Sequence, residues 1–364
     1  MKNLFVIPVM IVLVVGLVFS GCAAPAPAPA PQPEKPPKVI VIKMASWLPE
    51  GGTEGKMGKW WGSELEKRSG GRVKMEYYFS QALVKTMDLL PAVTKGITDI
   101  AHVGNGYFPS QLPLCGAFEL IYQTNSAWVQ DKAFNEMAET WEPLKQELRN
   151  NNIMNLASLA ATEMVMGANK PIKTLEDLQG MKIRAMGLAN EVMAILGATP
   201  VAIALPEVYE SMERGTIDAY TGLPYHLVVA FKLSEVSKYI VNPGVGCFVS
   251  GSYYMNLDTW DKLPDDIKAI IKDLNAEFTD QCIKSHNEDL KKTTETLLEA
   301  GKDIYSITPA EVERWKSKLV PKIYDDWVAK MESKGLPGKE TLEQYQSLIK
   351  KYAPNDKYVN PYPK

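Results

Sequence analysis

The chain has 364 residues, 46% of them hydrophobic and 23% charged, which is enough for a sizeable core in two lobes of ordinary domain size. Its net charge of −3 excludes the basic surface that nucleic acid demands. The three histidines, His102, His226 and His286, form no HxxH or HxxxH pair, so no metal site and no cofactor are expected.

The amino terminus reads as an address. Lys2 is followed by an apolar run from Leu4 to Phe19, short for a membrane span and suited to a signal peptide. It ends in Val18-Phe19-Ser20-Gly21-Cys22, which resembles a bacterial lipobox, with Phe19 in place of the usual leucine. Residues 1–21 are expected to be a lipoprotein signal peptide and Cys22 the lipidated new terminus; an ordinary secretory signal cut near Ala24 is the alternative. The Ala/Pro alternation of residues 22–38 favours extended polyproline II, a semi-rigid spacer. Cys115, Cys247 and Cys282 form no CxxC and are expected to be buried and unpaired.

From Val39 the pattern is α/β. VIVIKM predicts a first core strand, leading through Trp47-Leu48-Pro49-Glu50 into a helix from Thr53 to Arg68 that Ser69-Gly70-Gly71 stops. A strand over 72–79, a helix over 84–95 and a strand over 97–103 complete three units around a mainly parallel sheet. Asn105-Gly106-Tyr107 follows as another loop at a strand end. The apolar spacing predicts one helix over 128–149. Ile153 to Gly167 then reads as one long small-residue strand, suited to pass between lobes, and Gly244 to Asn256 as the return crossing. With two crossings, a hinge is expected.

Between them, GMKIRAMG, ATPVAIAL and TIDAY predict strands separated by helices, with a Gly/Pro turn after Tyr220. Such sheets bind ligands at the carboxyl ends of their strands, and Arg184 lies near one. Burying its guanidinium requires a carboxylate. Beyond Pro264, three helices are predicted: Asp265 to Ala300, one opened by Thr308-Pro309 with acid in its first turn, and one from Gly338 to Tyr352. They read as bracing helices with solvated charged faces.

No GxSxG, P-loop or GxGxxG occurs. Strand-end loops carrying Trp47, Tyr107, Phe108, Tyr220 and Tyr225, together with one arginine, suit a pocket that recognises a small anion and leaves it unchanged. The expectation is therefore a binding protein and not an enzyme. A binding module that feeds a sensor, or an enzyme using Glu50 or Glu163, is the alternative.

KPIKTLEDLQGMKIRAMG, LGATPVAIALPEVYESMERGTIDAYTGLP and LDTWDKLPDDIK, with SWLPEGG and LEKRSGGRVKMEYYFSQAL before them, resemble the DctP-type solute-binding proteins of tripartite ATP-independent periplasmic (TRAP) transporters. The resemblance covers nearly the whole mature chain. It implies a two-lobed periplasmic-binding-protein α/β fold with mainly parallel sheets, hinge strands and long carboxyl-terminal helices. Lobe 1 would span residues 39–158, lobe 2 residues 159–245, and residues 246–364 would return to lobe 1 and add helices spanning both. It further implies an extracytoplasmic receptor, here held by its lipid anchor, that closes on a small organic acid and delivers it to the small and large TRAP membrane subunits.

The family's selectivity arginine falls on Arg184. Its other contacts fall on the loop from Trp47 through Glu50, on Asn105 and Tyr107, on Glu163 and Met164, and on the turn carrying Tyr220, Thr221, Leu223 and Tyr225. Some members carry a second arginine where this chain has Met164. Sialic-acid members carry an asparagine in the region of Gly222 and Leu223, and metal-assisted keto-acid members a glutamate at Thr221. These departures point to a monocarboxylate with a hydrophobic or aromatic body and to no metal.

Overall fold

A computed structural model describes residues 39–160, 162–247 and 250–362. The signal peptide, Cys22 and the Ala/Pro spacer lie outside these residues. In chain order the elements are β1 (Ile40–Ser46), α1 (Thr53–Arg68), β2 (Val73–Tyr78), α2 (Leu89–Thr94), β3 (Ile100–Gly104), α3 (Ala127–Thr140), α4 (Glu142–Asn150), β4 (Ile153–Ser158) and β5 (Met164–Ala168). Then come β6 (Lys182–Ala185), α5 (Leu188–Ile195), β7 (Thr199–Ala202), α6 (Val208–Glu213), β8 (Ala219–Pro224), α7 (Leu227–Ala230) and β9 (Tyr239–Asn242). The chain continues through β10 (Gly251–Asn256), α8 (Leu257–Lys262), α9 (Asp265–Glu299), β11 (Asp303–Ser306), α10 (Pro309–Glu332) and α11 (Gly338–Tyr352).

The strands form two sheets, one ordered β2-β1-β3-β10-β4 and the other β11-β9-β5-β8-β6-β7. Each is parallel except for one strand. β10 runs antiparallel to β3 and β4 in the first, and β5 antiparallel to β8 and β9 in the second. Both follow a crossing from the other sheet, β5 after β4 and β10 after β9; a third crossing, through α8 and α9, brings β11 in parallel to β9. The fold is thus two-lobed α/β, with the chain crossing between sheets more than once.

The expected single strand over 153–167 is two strands, one in each sheet, because the chain leaves the first sheet after Ser158 and enters the second at Met164. The expected single helix over 128–149 is also two. Pro143 has no N–H to donate and its ring would strike the preceding turn, so Trp141 turns extended (φ −90°, ψ 106°) and the helix restarts. The strand expected over TIDAY begins later, at Ala219, and runs through Gly222 to Pro224 where a turn was expected. The return crossing becomes strand only at Gly251. β9 and β11, four residues each, are absent from the sequence reading.

The carboxyl-terminal helices follow their apolar spacing. Thr308 caps α10 by accepting from the Glu311 N–H, with Pro309 at the first position. α9 buries Ile267, Ile271, Leu274 and Phe278 in the core that covers β1, and Leu290 and Leu297 in the core shared with the second sheet. A single 35-residue helix therefore braces both sheets. Cys115, Cys247 and Cys282 are buried and free, as expected.

Candidate functional site

A cavity opens between the two sheets at the carboxyl ends of β1, β3 and β6. Trp47 follows β1, Gly104 ends β3 and Tyr107 follows it, Arg184 lies near the end of β6 and Met186 just beyond it, and Leu223 belongs to β8. Leu48, Leu159, Leu188, Leu205, Pro224 and Leu227 make most of the remaining wall apolar. The polar groups are few: Arg184, Glu119, Glu54, His102, Ser250 and the Tyr107 hydroxyl.

Arg184 is 1% exposed. Its Nε donates to the Ile203 carbonyl at 2.9 Å, and Nη1 donates to the carbonyls of Thr221 at 3.0 Å and Gly222 at 3.3 Å. Burial pulls its pKa down, and the Tyr107 side chain offsets part of that pull. Among the described residues, no carboxylate pairs with it. Three neutral carbonyls orient the guanidinium without cancelling its charge, which leaves a positive group facing an apolar cavity. Gly222 makes the arrangement possible: its φ is +72°, and an added Cβ would lie 3.2 Å from the Ala189 Cβ.

Glu119 is the second charged group of the wall. Burial pushes its carboxyl up to about 7, against the pull of hydrogen bonds from Ser250 and the Gly106 backbone. The Ser250 hydroxyl donates to it at 3.4 Å. A Cβ on Gly106 would stand 2.7 Å from a Glu119 oxygen, so only glycine lets that backbone reach the carboxyl. Trp47 stacks parallel to His102 at 6.2 Å and meets Tyr107 edge-on at 5.7 Å. Its buried indole N–H has no protein partner among the described residues. Burial lowers His102 to about 4, which keeps it neutral.

Of the expected contact residues, Trp47, Tyr107, Arg184 and Leu223 line this cavity. The rest lie elsewhere. Glu50 is exposed and pairs with Lys59 at 3.2 Å. Asn105 is tied behind the wall, donating to the Ser250 hydroxyl at 2.9 Å and accepting from Tyr254 at 2.8 Å. Glu163 is buried against Asn242 and Asn360, away from Glu50. Met164 is buried within the second sheet, opposite Pro224. The Tyr220 hydroxyl meets Ser237 at 2.9 Å and the Tyr225 hydroxyl meets Thr294 at 3.0 Å, so both rings are core. Thr221 turns its hydroxyl to the Val165 carbonyl and contributes only its own carbonyl, to Arg184. In β8, Tyr220 and Leu223 are three positions apart, so the alternation of a strand sends them to opposite faces and only Leu223 meets the cavity.

Glu119, His102, Ser250 and Glu54 are not among the site residues expected from the sequence. The readable signal for Glu119 is a lone acid among Phe118, Leu120 and Ile121. The Glu54 carboxylate accepts from His226 Nε2 at 2.9 Å, and His226 lies against His286, with ring centroids 5.3 Å apart. The expectation that the histidines are too scattered to cluster therefore fails for two of the three, because separation along the chain says nothing about separation across a crossing fold.

Comparison with known proteins shows the family of the chain. The family model described as bacterial extracellular solute-binding protein, family 7 (DctP), matches residues 44–330. The C4-dicarboxylate-binding periplasmic protein DctP of Rhodobacter capsulatus is 25% identical over 291 residues, covering 79% of this chain and 86% of that protein. A monocarboxylate 2-oxoacid-binding periplasmic protein from Nostoc is 24% identical over 292 residues, 79% of this chain and 78% of that one. A crystal structure of a marine metagenome TRAP solute-binding protein specific for aromatic acid ligands, in complex with 3-hydroxybenzoate, aligns with a TM-score of 0.78 at 26% identity. It covers 86% of this chain and 99% of that chain.

Proposed function

Since this chain belongs to family 7 of the bacterial extracellular solute-binding proteins, the DctP-type receptors of TRAP transporters, we propose that its cavity captures a monocarboxylate with an aromatic or similarly apolar body. The observation that carries this reading is Arg184, a buried guanidinium held by carbonyls and paired with no carboxylate among the described residues. A ligand carboxylate completes it through charge-assisted bonds of about 1.5–3 kcal/mol each. The wall around it is largely leucine, methionine and aromatic, which suits a ring better than a second charge. Glu119 adds a repulsive element against a second carboxylate whenever it is ionised. The aromatic-acid specificity stated for the marine metagenome relative supports the same solute class.

In this reading the two sheets close on the acid and the loaded receptor delivers it to the TRAP membrane subunits. Cys22 carries a lipid that keeps the receptor at the outer face of a membrane, and Cys22→Ser should move it from the membrane fraction to the soluble fraction. The role is binding and not catalysis, and Glu50 and Glu163, the acids an enzyme would use, do not line the cavity.

The deciding experiment is a thermal-shift panel of benzoate, 3-hydroxybenzoate and C4 dicarboxylates on the wild type and Arg184→Ala. An aromatic monocarboxylate should raise the melting temperature of the wild type. Arg184→Ala should weaken binding by about 100-fold, the equivalent of one to two charge-assisted bonds. The variant loses an uncompensated buried charge but also three hydrogen bonds and buried side-chain volume, so each protein's ligand-induced shift is read from its own ligand-free melting temperature. A full response in Arg184→Ala, or a response to dicarboxylates alone, would overturn the assignment.

A further inference from the structure

Behind the Trp47 side of the cavity, three elements far apart in sequence bring Glu54, His226 and His286 together. Glu54 is on the first turn of α1, His226 follows β8, and His286 is mid-way along α9. All three are more than nine-tenths buried: 6%, 4% and 1% exposed. One carboxylate oxygen and one nitrogen from each ring lie within 4.8 Å of one another. Glu54 and His226 are in contact at 2.9 Å, yet Nδ1 of His226 and both nitrogens of His286 have no hydrogen-bond partner among the described residues.

That is an unusual way to bury two imidazoles. A buried polar atom without a partner costs about 1–3 kcal/mol, and the great majority of such atoms in folded proteins are satisfied. A neutral imidazole has one lone pair to offer, and two imidazoles with one carboxylate make a donor set that suits a borderline divalent ion. Bonds of about 2.0–2.2 Å to a tetrahedral ion would set the donors about 3.3 Å apart. The contact at 2.9 Å and the outer limit of 4.8 Å bracket that spacing. Around the cluster, Thr53 donates to Asp289 at 2.6 Å and Lys56 pairs with the same carboxylate, so the neighbouring polar groups are already engaged. The unpaired nitrogens are the groups left over.

We propose that Glu54, His226 and His286 form a binding site for one divalent transition-metal ion of the zinc class, clamping α1, the end of β8 and α9 to one another. Three protein ligands leave one coordination position for water, and Glu54, which also lines the cavity, sits at the boundary between the two sites. The ion ties an element packed on the first sheet to one that ends a strand of the second. It requires no solute, and the site holds whether or not the cavity takes a carboxylate.

The test uses the full mature chain, freed of metal by a chelator and kept free of solute. Cobalt(II), added as a spectroscopic probe, should bind at one equivalent with the intense visible bands of a four-coordinate nitrogen/oxygen site. Zinc(II) should displace it and raise the melting temperature. His286→Asn and His226→Asn should each abolish the bands and lower zinc affinity by at least about 100-fold, while circular dichroism shows a folded chain. Failure of the wild type to bind an equivalent of either metal overturns the proposal, as does unchanged binding in both variants. If a variant does not fold, X-ray absorption on the zinc-loaded wild type decides: two imidazoles in the coordination shell support the site, and none overturns it. Because solute is omitted throughout, a negative result leaves the carboxylate reading intact.

Discussion

Glu119 gives the cavity a pH dependence whose sign is fixed by its surroundings. Its carboxyl is pushed up to about 7 by burial, so below that pH it is neutral and able to donate to a bound carboxylate. Above it, a second negative charge shares the cavity with the ligand. Arg184, His102 and Glu54 line the same cavity and Cys115 interacts with Glu119 from behind; of these, burial keeps His102 neutral and the Cys115 thiol protonated near neutrality. Affinity for an aromatic monocarboxylate should therefore be constant from about pH 6 downwards to the ligand's own titration. It should fall as pH rises through 7, by up to about tenfold per unit. Isothermal titration across pH 6 to 8.5 checks this, and Glu119→Gln should flatten the profile. A profile that stays steep in Glu119→Gln would assign the effect elsewhere. The arginine of this pair was legible because a basic residue in an apolar strand stands out and KIRAMG resembles a family motif. The glutamate was not, because an acid within an apolar stretch has the same local pattern whether it meets a cavity, a cap or solvent.

At the scale of elements, the reading succeeds where hydrophobic period and capping chemistry agree, as in α1, α9, α10 and α11, and fails where a strand contains punctuation. Gly222 and Pro224 read as a turn, yet both lie in β8. The glycine's left-handed φ turns its carbonyl toward Arg184, and the proline closes the strand opposite Met164 without breaking a central ladder. Local propensity thus mispredicts the segment that matters most to the site, because its irregularity positions a functional side chain. Gly222→Ala should cost about 1–2 kcal/mol from the left-handed backbone, with the tight approach to Ala189 adding to it. It should also weaken carboxylate binding, since the carbonyls that aim Arg184 would shift. Urea unfolding and a ligand titration on the same variant measure both. Lost stability with unchanged affinity would mean that the Gly222 carbonyl does not position the arginine.

The whole molecule is organised by its crossings. Composition and pattern reveal two lobes and a chain that passes between them, and they place the crossings near Glu163 and Gly246. They do not reveal that the crossings near Glu163 and Gly246 each supply the single antiparallel strand of the sheet entered, because strand direction is set by which neighbour the chain returns beside and leaves no trace in side-chain period. This topology has a functional consequence. Trp47, Tyr107 and Glu119 reach the cavity from elements around the first sheet, Arg184 and Leu223 from the second, so a solute held by both groups is enclosed only when the sheets are together. In the proposed function, solute enters a more open form and, by touching both walls, favours the closed one by the difference in contact energy. Small-angle scattering should then record a smaller radius of gyration on addition of a saturating aromatic monocarboxylate. At 100 times Kd the solute should also add about 2.7 kcal/mol of stability. In Arg184→Ala the compaction should vanish at the same concentration, because one wall has lost its hold. If instead that variant closes as fully as the wild type, the apolar wall alone drives closure and the guanidinium serves only to select the solute.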